Sequence, residues 1–167
     1  VEALLNRSCR AMWIGTFHAL CARILRAEAD RVGLDSNFII YDATDQLALM
    51  RRVMADQELP EKQYPVKQVR ARISREKNKM MDAAMFSQRA ASYYEQNVAR
   101  IYRHYQDALR QNNAVDFDDL LMCSVQLFRD HPDVLARYQA QFEYLLIDEY
   151  QDTNRPQYLF AQHLAEQ

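Results

Sequence analysis

Glycine and proline are scarce in this sequence of 167 residues, which contains two glycines and four prolines. So few turn-forming residues leave little room for a linker, and 49% hydrophobic residues over this length suffice for one globular domain with a core. No apolar run approaches the roughly 18 residues of a membrane span, and no basic and apolar leader opens the chain. We therefore expect a cytoplasmic protein without a membrane partner.

Cysteine is also scarce, and its pattern argues against two kinds of site. Cys9, Cys21 and Cys123 are an odd number at spacings that match neither a zinc site nor a disulfide framework. We expect these residues to be reduced, buried thiols.

The net charge of −2 hides two segments of opposite sign. Residues 62–79 contain seven Lys and Arg and one acid, whereas residues 80–167 contain seven Arg and thirteen Asp and Glu. The local sign matters more to a partner than the sum. The basic segment therefore keeps a nucleic-acid partner open despite the negative total.

Most of the chain has apolar residues at helical spacing, but three short apolar runs resemble strands, at 11–15, 38–42 and 144–148. The first and last of them each feed a helix, as the strand–helix units of parallel sheets do. The prediction is a mainly α fold with a few short β-strands, in which a helical insertion subdomain is bracketed by pieces of a sheet-containing domain. Helices are predicted over 17–32, 43–57, 65–80, 83–92, 93–112, 116–130, from 132 onward and after 154.

Several predicted helix ends carry their own signals. Thr16, Asn154 and either Asp42 or Thr44 precede helical stretches and are typical N-cap residues. Gly33 is typical of the residue that ends a helix.

Two adjacent carboxylates, Asp148 and Glu149, end the third predicted strand. Residues just past the carboxyl end of such a strand lie where open α/β sheets bind ligands. In phosphoryl-transfer sites an acid at this point holds Mg²⁺, and a neighbouring group orients the attacking water. On the pair alone, two solvated surface charges are an equal alternative.

The longer string LLIDEYQDTNRPQ (145–157) resembles the second conserved motif of the UvrD/Rep/PcrA family of superfamily 1 DNA helicases. The motif is aspartate, glutamate, an aromatic residue, glutamine, aspartate and threonine, and residues 148–153 match each position. WIGTFHALCARILR (13–26) is similar to the family's threonine–phenylalanine–histidine motif. Further segments similar to the family's helical insertion and its exit are FIIYDATDQ (38–46), ISREKN (73–78) and VDFDDLL (115–121).

The resemblance implies a fragment of an ATP-dependent helicase that moves 3′ to 5′ along DNA in repair or replication. Pieces of a RecA-like P-loop NTPase domain at 1–34 and 143–167 would bracket a helical insertion with its return helices at 35–142. The chain has only two glycines, so a Walker A loop, G-x-x-x-x-G-K-[ST], cannot be written in it. We therefore expect ATP and Mg²⁺ to act in the full-length protein, and the fragment to bind neither and to be inactive.

The resemblance also implies roles for individual residues. Asp148 would hold Mg²⁺, Glu149 would be the general base that activates water, and Gln151 would sense the terminal phosphate. Thr16 and His18 would contact the backbone of single-stranded DNA. The plain alternatives are a helix cap for Thr16 and core packing for His18.

Two aromatic residues, Phe17 and Phe117, are candidates for stacking on unpaired bases, each stack being worth roughly 1–3 kcal/mol. Both also fit apolar helix faces, so core packing is at least as strong an alternative for either residue. The acids at 116–119 lack the glycine and alternation of a calcium loop, and stabilisation of a helix start explains them more simply.

The basic segment has a predicted helical face of its own, because four of its polar residues recur every three to four positions. Such a face could follow the phosphates of duplex DNA at a junction, and a merely solvated surface is the alternative. We favour phosphate contact because few acids lie nearby in the sequence. The residues of this face are Lys67, Arg70, Ser74 and Lys77.

A second class of function is also compatible with the residues. It is a non-catalytic module, either a helical DNA-binding domain or a protein-docking domain that keeps a remnant of the motif.

Overall fold

The computed structural model describes residues 12–166, which are mainly helical and contain two short strands. This confirms the predicted predominance of helix. The helices are α1 Phe17–Ala27, α2 Ala43–Asp56, α3 Val66–Lys77, α4 Ala83–Arg89, α5 Tyr93–Gln111, α6 Phe117–Asp130, α7 Pro132–Gln141 and α8 Arg155–Ala165. Two 3₁₀ turns, Ala29–Val32 and Tyr150–Asp152, and two strands, β1 Ile39–Tyr41 and β2 Ala114–Asp116, complete the described elements.

Side-chain caps start several of these helices at the predicted residues. The Thr16 hydroxyl accepts a hydrogen bond from Ala19 N, and Asp42 and Asn154 form capping boxes at α2 and α8. Gly33 adopts a φ of 69°, a left-handed conformation that glycine reaches without steric cost. The predicted helix starts are confirmed, whereas Gly33 ends the 3₁₀ turn Ala29–Val32, because α1 already ends at Ala27.

The two strands pair in parallel, with Ile39 opposite Ala114 and Tyr41 opposite Asp116. The predicted strand at 38–42 is therefore confirmed as β1. β2 was not predicted, because Ala114 and Val115 are followed at once by Asp116 and do not form an apolar run of strand length. An aspartate at or just after the end of each strand caps the next helix, Asp42 for α2 and Asp116 for α6.

The other two predicted strands are wrong as far as the structure describes them. Residues 12–15 and 144–148 contain no strand, and residue 11 lies outside the described range. A strand requires a hydrogen-bonded neighbour, and neither run finds one among residues 12–166. Large apolar side chains of the second run face solvent, since Tyr144 is 82% and Leu146 is 95% exposed.

The buried apolar side chains form two clusters. One lies among α2, α3, α4 and α5 and includes Met50, Val69 and Ile101. The other lies among α1, α6, α7 and α8 and includes Leu25 and Phe128.

Two further predictions concern the state of the cysteines and the presence of a helix that could span a membrane. Cys21 and Cys123 are free thiols, the first buried and the second half-buried, while Cys9 lies outside the described residues. Burial raises the pKa of the Cys21 thiol to about 12, which keeps it protonated. No described helix combines the length and the apolar character needed to cross a membrane.

Candidate functional site

The acidic segment, residues 148–153, is an exposed turn between α7 and α8. Glu149 adopts φ 51° and ψ 40°, a left-handed conformation that is uncommon for a residue with a side chain. Its backbone N–H donates to Asp148 Oδ1 at 3.0 Å, and Gln151 Nε2 donates to the Glu149 carboxylate. The three predicted nucleotide-site residues therefore lie together on one tight turn.

Asp148 and Glu149 are both accessible from solvent. Neither Asp148 nor Glu149 forms a salt bridge with any residue in the range 12–166. Within the same range no group of three or more His, Cys, Asp or Glu side chains could hold a metal ion. The turn therefore offers free oxygen ligands for a cation that draws its remaining ligands from elsewhere.

A second site, which we call the aromatic corner, consists of Thr16, Phe17, His18 and Phe117. The His18 and Phe117 rings pack edge to face, with their centroids 5.5 Å apart. His18 and Phe117, two residues predicted to contact DNA that lie about a hundred residues apart in sequence, therefore meet at the starts of α1 and α6. Phe117 remains 47% exposed and accessible to a base.

The other members of the aromatic corner also have structural roles. Phe17 is half-buried and packs edge to face on Phe160 of α8, at 6.2 Å. Partial burial lowers the pKa of His18, against an opposing effect of the Asp118 carboxylate. The lowered pKa favours the neutral imidazole, which offers a hydrogen-bond donor rather than a charge.

Three of the four residues predicted on the basic face of α3 are accessible. Lys67 is exposed, whereas Arg70 and Ser74 are half-buried. Arg70 Nη1 donates to Gln46 Oε1 at 3.3 Å, which holds the guanidinium against α2.

The prediction that Lys77 shares this exposed face is wrong, because its side chain is buried. Its Nζ atom lies 2.7 Å from Asp116 Oδ2 and 2.7 Å from Asp119 Oδ1. Lys77 lies four residues after Ile73, which itself lies four after Val69, so it continues the apolar face of the helix. That spacing is the sequence signal that could have identified it.

Burial disfavours the charged Lys77 ammonium, but the carboxylates of Asp119 and Asp116 more than offset this, so the pKa of Lys77 is raised. Tyr105 Oη donates to Asp116 at 3.1 Å, and Gln106 Nε2 donates to Asp119 at 2.9 Å. The cluster is therefore a hydrogen-bonded ion triad. It joins the end of α3 to the start of α6.

Other cations of the basic segment also have acidic partners, contrary to the expectation that few acids lie nearby. Arg72 pairs with Glu76 and with Glu95, each at 3.0 Å, and Lys79 pairs with Glu76 at 3.1 Å. Glu95 comes from α5, so its proximity is not visible in the local sequence. Arg75, in contrast, makes no salt bridge with another described residue.

Comparison with known proteins identifies the family to which the chain belongs. The family described as "UvrD/REP helicase N-terminal domain" matches residues 1–167. The chain belongs to this family. The resemblance seen in the acidic segment and in the Thr16–His18 motif is thereby confirmed at the level of the UvrD/REP family.

Curated relatives within the UvrD/REP family carry the name ATP-dependent DNA helicase PcrA. The chain is 42% identical to that of Bacillus subtilis (strain 168) over 166 residues and 44% identical to that of Leuconostoc citreum over 167 residues. It is 40% identical to that of Staphylococcus aureus (strain Mu50 / ATCC 700699) over 165 residues. Each match covers 99% of this chain but only 22–23% of the relative. The chain therefore spans less than a quarter of these relatives.

Proposed function

We propose that the chain is part of an ATP-dependent DNA helicase that translocates 3′ to 5′ on single-stranded DNA in repair or replication. The observation that carries this proposal is the acidic segment, in which two exposed carboxylates and a glutamine share one turn in a member of the UvrD/REP family. In a longer protein, the remaining parts of a nucleotide site would close over this turn. The chain by itself would not hydrolyse ATP.

The chemistry of the acidic segment fits Mg²⁺ and a nucleotide. Mg²⁺ binds hard oxygen ligands, commonly one or two carboxylates together with substrate phosphates. Asp148 supplies one exposed carboxylate, which suits such a shared site. When bound, Mg²⁺ would neutralise the charge that develops on the phosphates.

Glu149 is the proposed general base of this site, and Gln151 is the proposed contact to the terminal phosphate. The hydrogen bond from Gln151 to the Glu149 carboxylate holds both side chains on the same side of the turn. A water between them and a phosphate would lose its proton to Glu149. No phosphate loop can be formed from Gly15 and Gly33, so the phosphates would be held by residues from outside this chain.

Two surfaces are proposed for DNA. The aromatic corner would receive single-stranded DNA, with Thr16 and His18 on the backbone and Phe117 against a base. Phe17 would anchor the aromatic corner to α8 through its contact with Phe160. The accessible face of α3 would meet the duplex at a junction.

We also propose a domain organisation for the chain. Residues 1–34 and 143–167 would belong to a RecA-like motor domain, and residues 35–142 would be the helical insertion with its return helices. The return helices α6 and α7 share a buried cluster with α1 and α8, which supports a close connection between the insertion and the motor pieces. The exposed side chains at 144–146 would be covered by neighbouring strands of that domain.

The test replaces Glu149 by glutamine in the full-length protein. Glu149→Gln should retain nucleotide binding and lower the rate of ATP hydrolysis by about 10²–10⁴-fold, because the turn keeps its shape but loses its base. Glu143→Gln is the matched control, since it changes an exposed glutamate just before the same segment. Its hydrolysis rate should equal that of the unchanged protein.

Full hydrolysis by Glu149→Gln would contradict the assigned role. A full-length protein without ATP hydrolysis and without a Walker A loop would instead support a non-catalytic DNA-binding or docking module. Measuring nucleotide binding and hydrolysis separately distinguishes a lost base from a lost site.

A further inference from the structure

The side chain of Asn78, the residue that ends α3, connects three elements that are distant in sequence. Its Nδ2 donates to the Ser74 carbonyl oxygen at 2.8 Å and to Asp118 Oδ1 at 2.9 Å. Its Oδ1 accepts a hydrogen bond from Asn154 Nδ2 at 2.7 Å. This one amide therefore joins the end of α3, the first turn of α6 and the start of α8.

The hydrogen-bond pattern permits one orientation of both amides. Asn154 Oδ1 already accepts from Gln157 N at 3.0 Å as the cap of α8, so its Nδ2 faces Asn78. Asn78 must then present oxygen to Asn154 and nitrogen to Ser74 and Asp118, both of which offer only acceptors here. The connection is therefore specific and cannot be replaced by a rotated amide.

This junction lies between the three proposed contact regions. Asn154 directly follows the acidic segment, whose last residue is Thr153. Asp118 follows Phe117 of the aromatic corner, and Asn78 itself ends the helix proposed to meet duplex DNA. The Lys77 ion triad fixes the end of α3 to the start of α6, so these two elements move together.

We infer that Asn78 is a positioning residue that transmits the nucleotide state of the acidic segment to α3 and to the aromatic corner. The inference rests on the proposed function, because it presumes that nucleotide and DNA bind to one protein. A displacement of the acidic segment moves Asn154, and the Asn154–Asn78 hydrogen bond passes that displacement to both DNA surfaces.

The experiment measures the dissociation constant of the full-length protein for a fluorescent oligo-dT strand, with and without AMP-PNP. The ratio of the two constants is the coupling between the sites, which is typically 5–150-fold in allosteric proteins. Asn78→Ala removes the junction. Asn154→Ser keeps a hydroxyl that caps α8 but lacks the amide donor to Asn78. Either variant should reduce the ratio by about fivefold or more, toward one.

The double variant provides a second readout. Asn78→Ala already removes the hydrogen bond that Asn154→Ser breaks, so the double variant should reduce the ratio no further than Asn78→Ala alone. Asn37→Ala is the matched control, because it removes another amide–amide hydrogen bond, from Asn113 Nδ2 at 3.1 Å, outside the junction. The control should keep the full ratio.

An unchanged ratio in Asn78→Ala and Asn154→Ser would overturn the inference, even if both dissociation constants rose equally, since that is the result of a purely structural role. If Asn78→Ala does not fold, Asn154→Ser decides the question alone. An unchanged protein that binds AMP-PNP and DNA without any coupling would also overturn the inference. An unchanged protein that binds neither would instead contradict the proposed function.

Discussion

Replacing Lys77 by methionine should destabilise the fold by about 3–5 kcal/mol at pH 7, the usual cost of removing one partner from a buried ion pair. Methionine keeps an unbranched side chain of similar length but has no charge. The side chains of Lys77, Asp116 and Asp119 are at most 4% exposed, so solvent cannot replace the missing ammonium.

The magnitude follows from what remains after the substitution. Tyr105 and Gln106 still donate to the two carboxylates, but both donors are neutral and leave two negative charges in contact. A typical domain is stable by only about 5–15 kcal/mol, so the loss is a large fraction of the total. Adding Asp119→Asn removes one of the charges and should restore part of the stability.

The pH dependence has a defined sign. Burial and repulsion by Asp116 raise the pKa of Asp119 to about 6 from 3.8, although Lys77 opposes this. The folded state therefore holds more protons than the unfolded state between these values. The contribution of Asp119 to stability falls as pH rises from about 4 to 6, by at most about 1.4 kcal/mol per pH unit.

Asp116 affects the stability of the fold in a different pH range. Burial alone would raise the pKa of Asp116, but the Lys77 ammonium, together with the hydrogen bonds from Asp119 N–H and Tyr105 Oη, holds that pKa below its usual value. Its stabilising contribution is therefore lost only as pH falls below about 4. Without Lys77 both carboxyls favour the protonated form on folding, so the cost of Lys77→Met should be smaller at pH 5 than at pH 8.

Urea denaturation of the purified chain at pH 5, 7 and 8, followed by circular dichroism, measures these differences. Lys79→Met is the control, because Lys79 lies two residues away and its side chain is 52% exposed, so its pair with Glu76 should contribute at most about 1 kcal/mol. A cost for Lys77→Met below about 1 kcal/mol at pH 7, or one that does not depend on pH, would refute the reasoning.

Three further outcomes are expected. The isolated chain should hydrolyse no ATP above background, and magnesium-dependent turnover that is lost in Glu149→Gln would contradict this. In the full-length protein, Lys67→Ala with Arg70→Ala should make the negative slope of log affinity against log salt for duplex DNA shallower by up to about 1.8. Arg31→Ala is the control, because it removes a cation paired with Asp133, and it should leave the slope unchanged. The far-ultraviolet circular dichroism spectrum of the chain should be mainly helical, and a spectrum dominated by strand would disagree with the fold.

The helices could be predicted because their signals are local. Asp42 and Asn154 each cap a helix through groups within three residues, and the apolar spacing that follows them shows in the same short window. The acidic segment could be found for a similar reason, since its residues are contiguous. Pairing of strands depends on a distant partner, so the runs at 11–15 and 144–148 were overpredicted and β2 was missed.

The polar clusters could not be predicted from local patterns for the same reason. Asp116 lies 39 residues from Lys77 in sequence, and Asn154 lies 76 residues from Asn78. A lysine at the end of a basic run normally faces solvent. The spacing from Ile73 is compatible with an inward position, but only the two acids of α6 make that position stable.

The corrected position of Lys77 changes what α3 can offer to DNA. Of the basic residues in this helix, Lys77 is buried and Arg72 is paired with two acids, which leaves Lys67, Arg70 and Arg75 free of salt bridges within the described residues. These three could neutralise at most three phosphates, so α3 by itself would contribute a salt slope of about −2.7. The buried cation and the accessible cations of this helix therefore have different roles. Lys77 fixes α3 to α6, and the others remain available for the duplex that we propose to bind here.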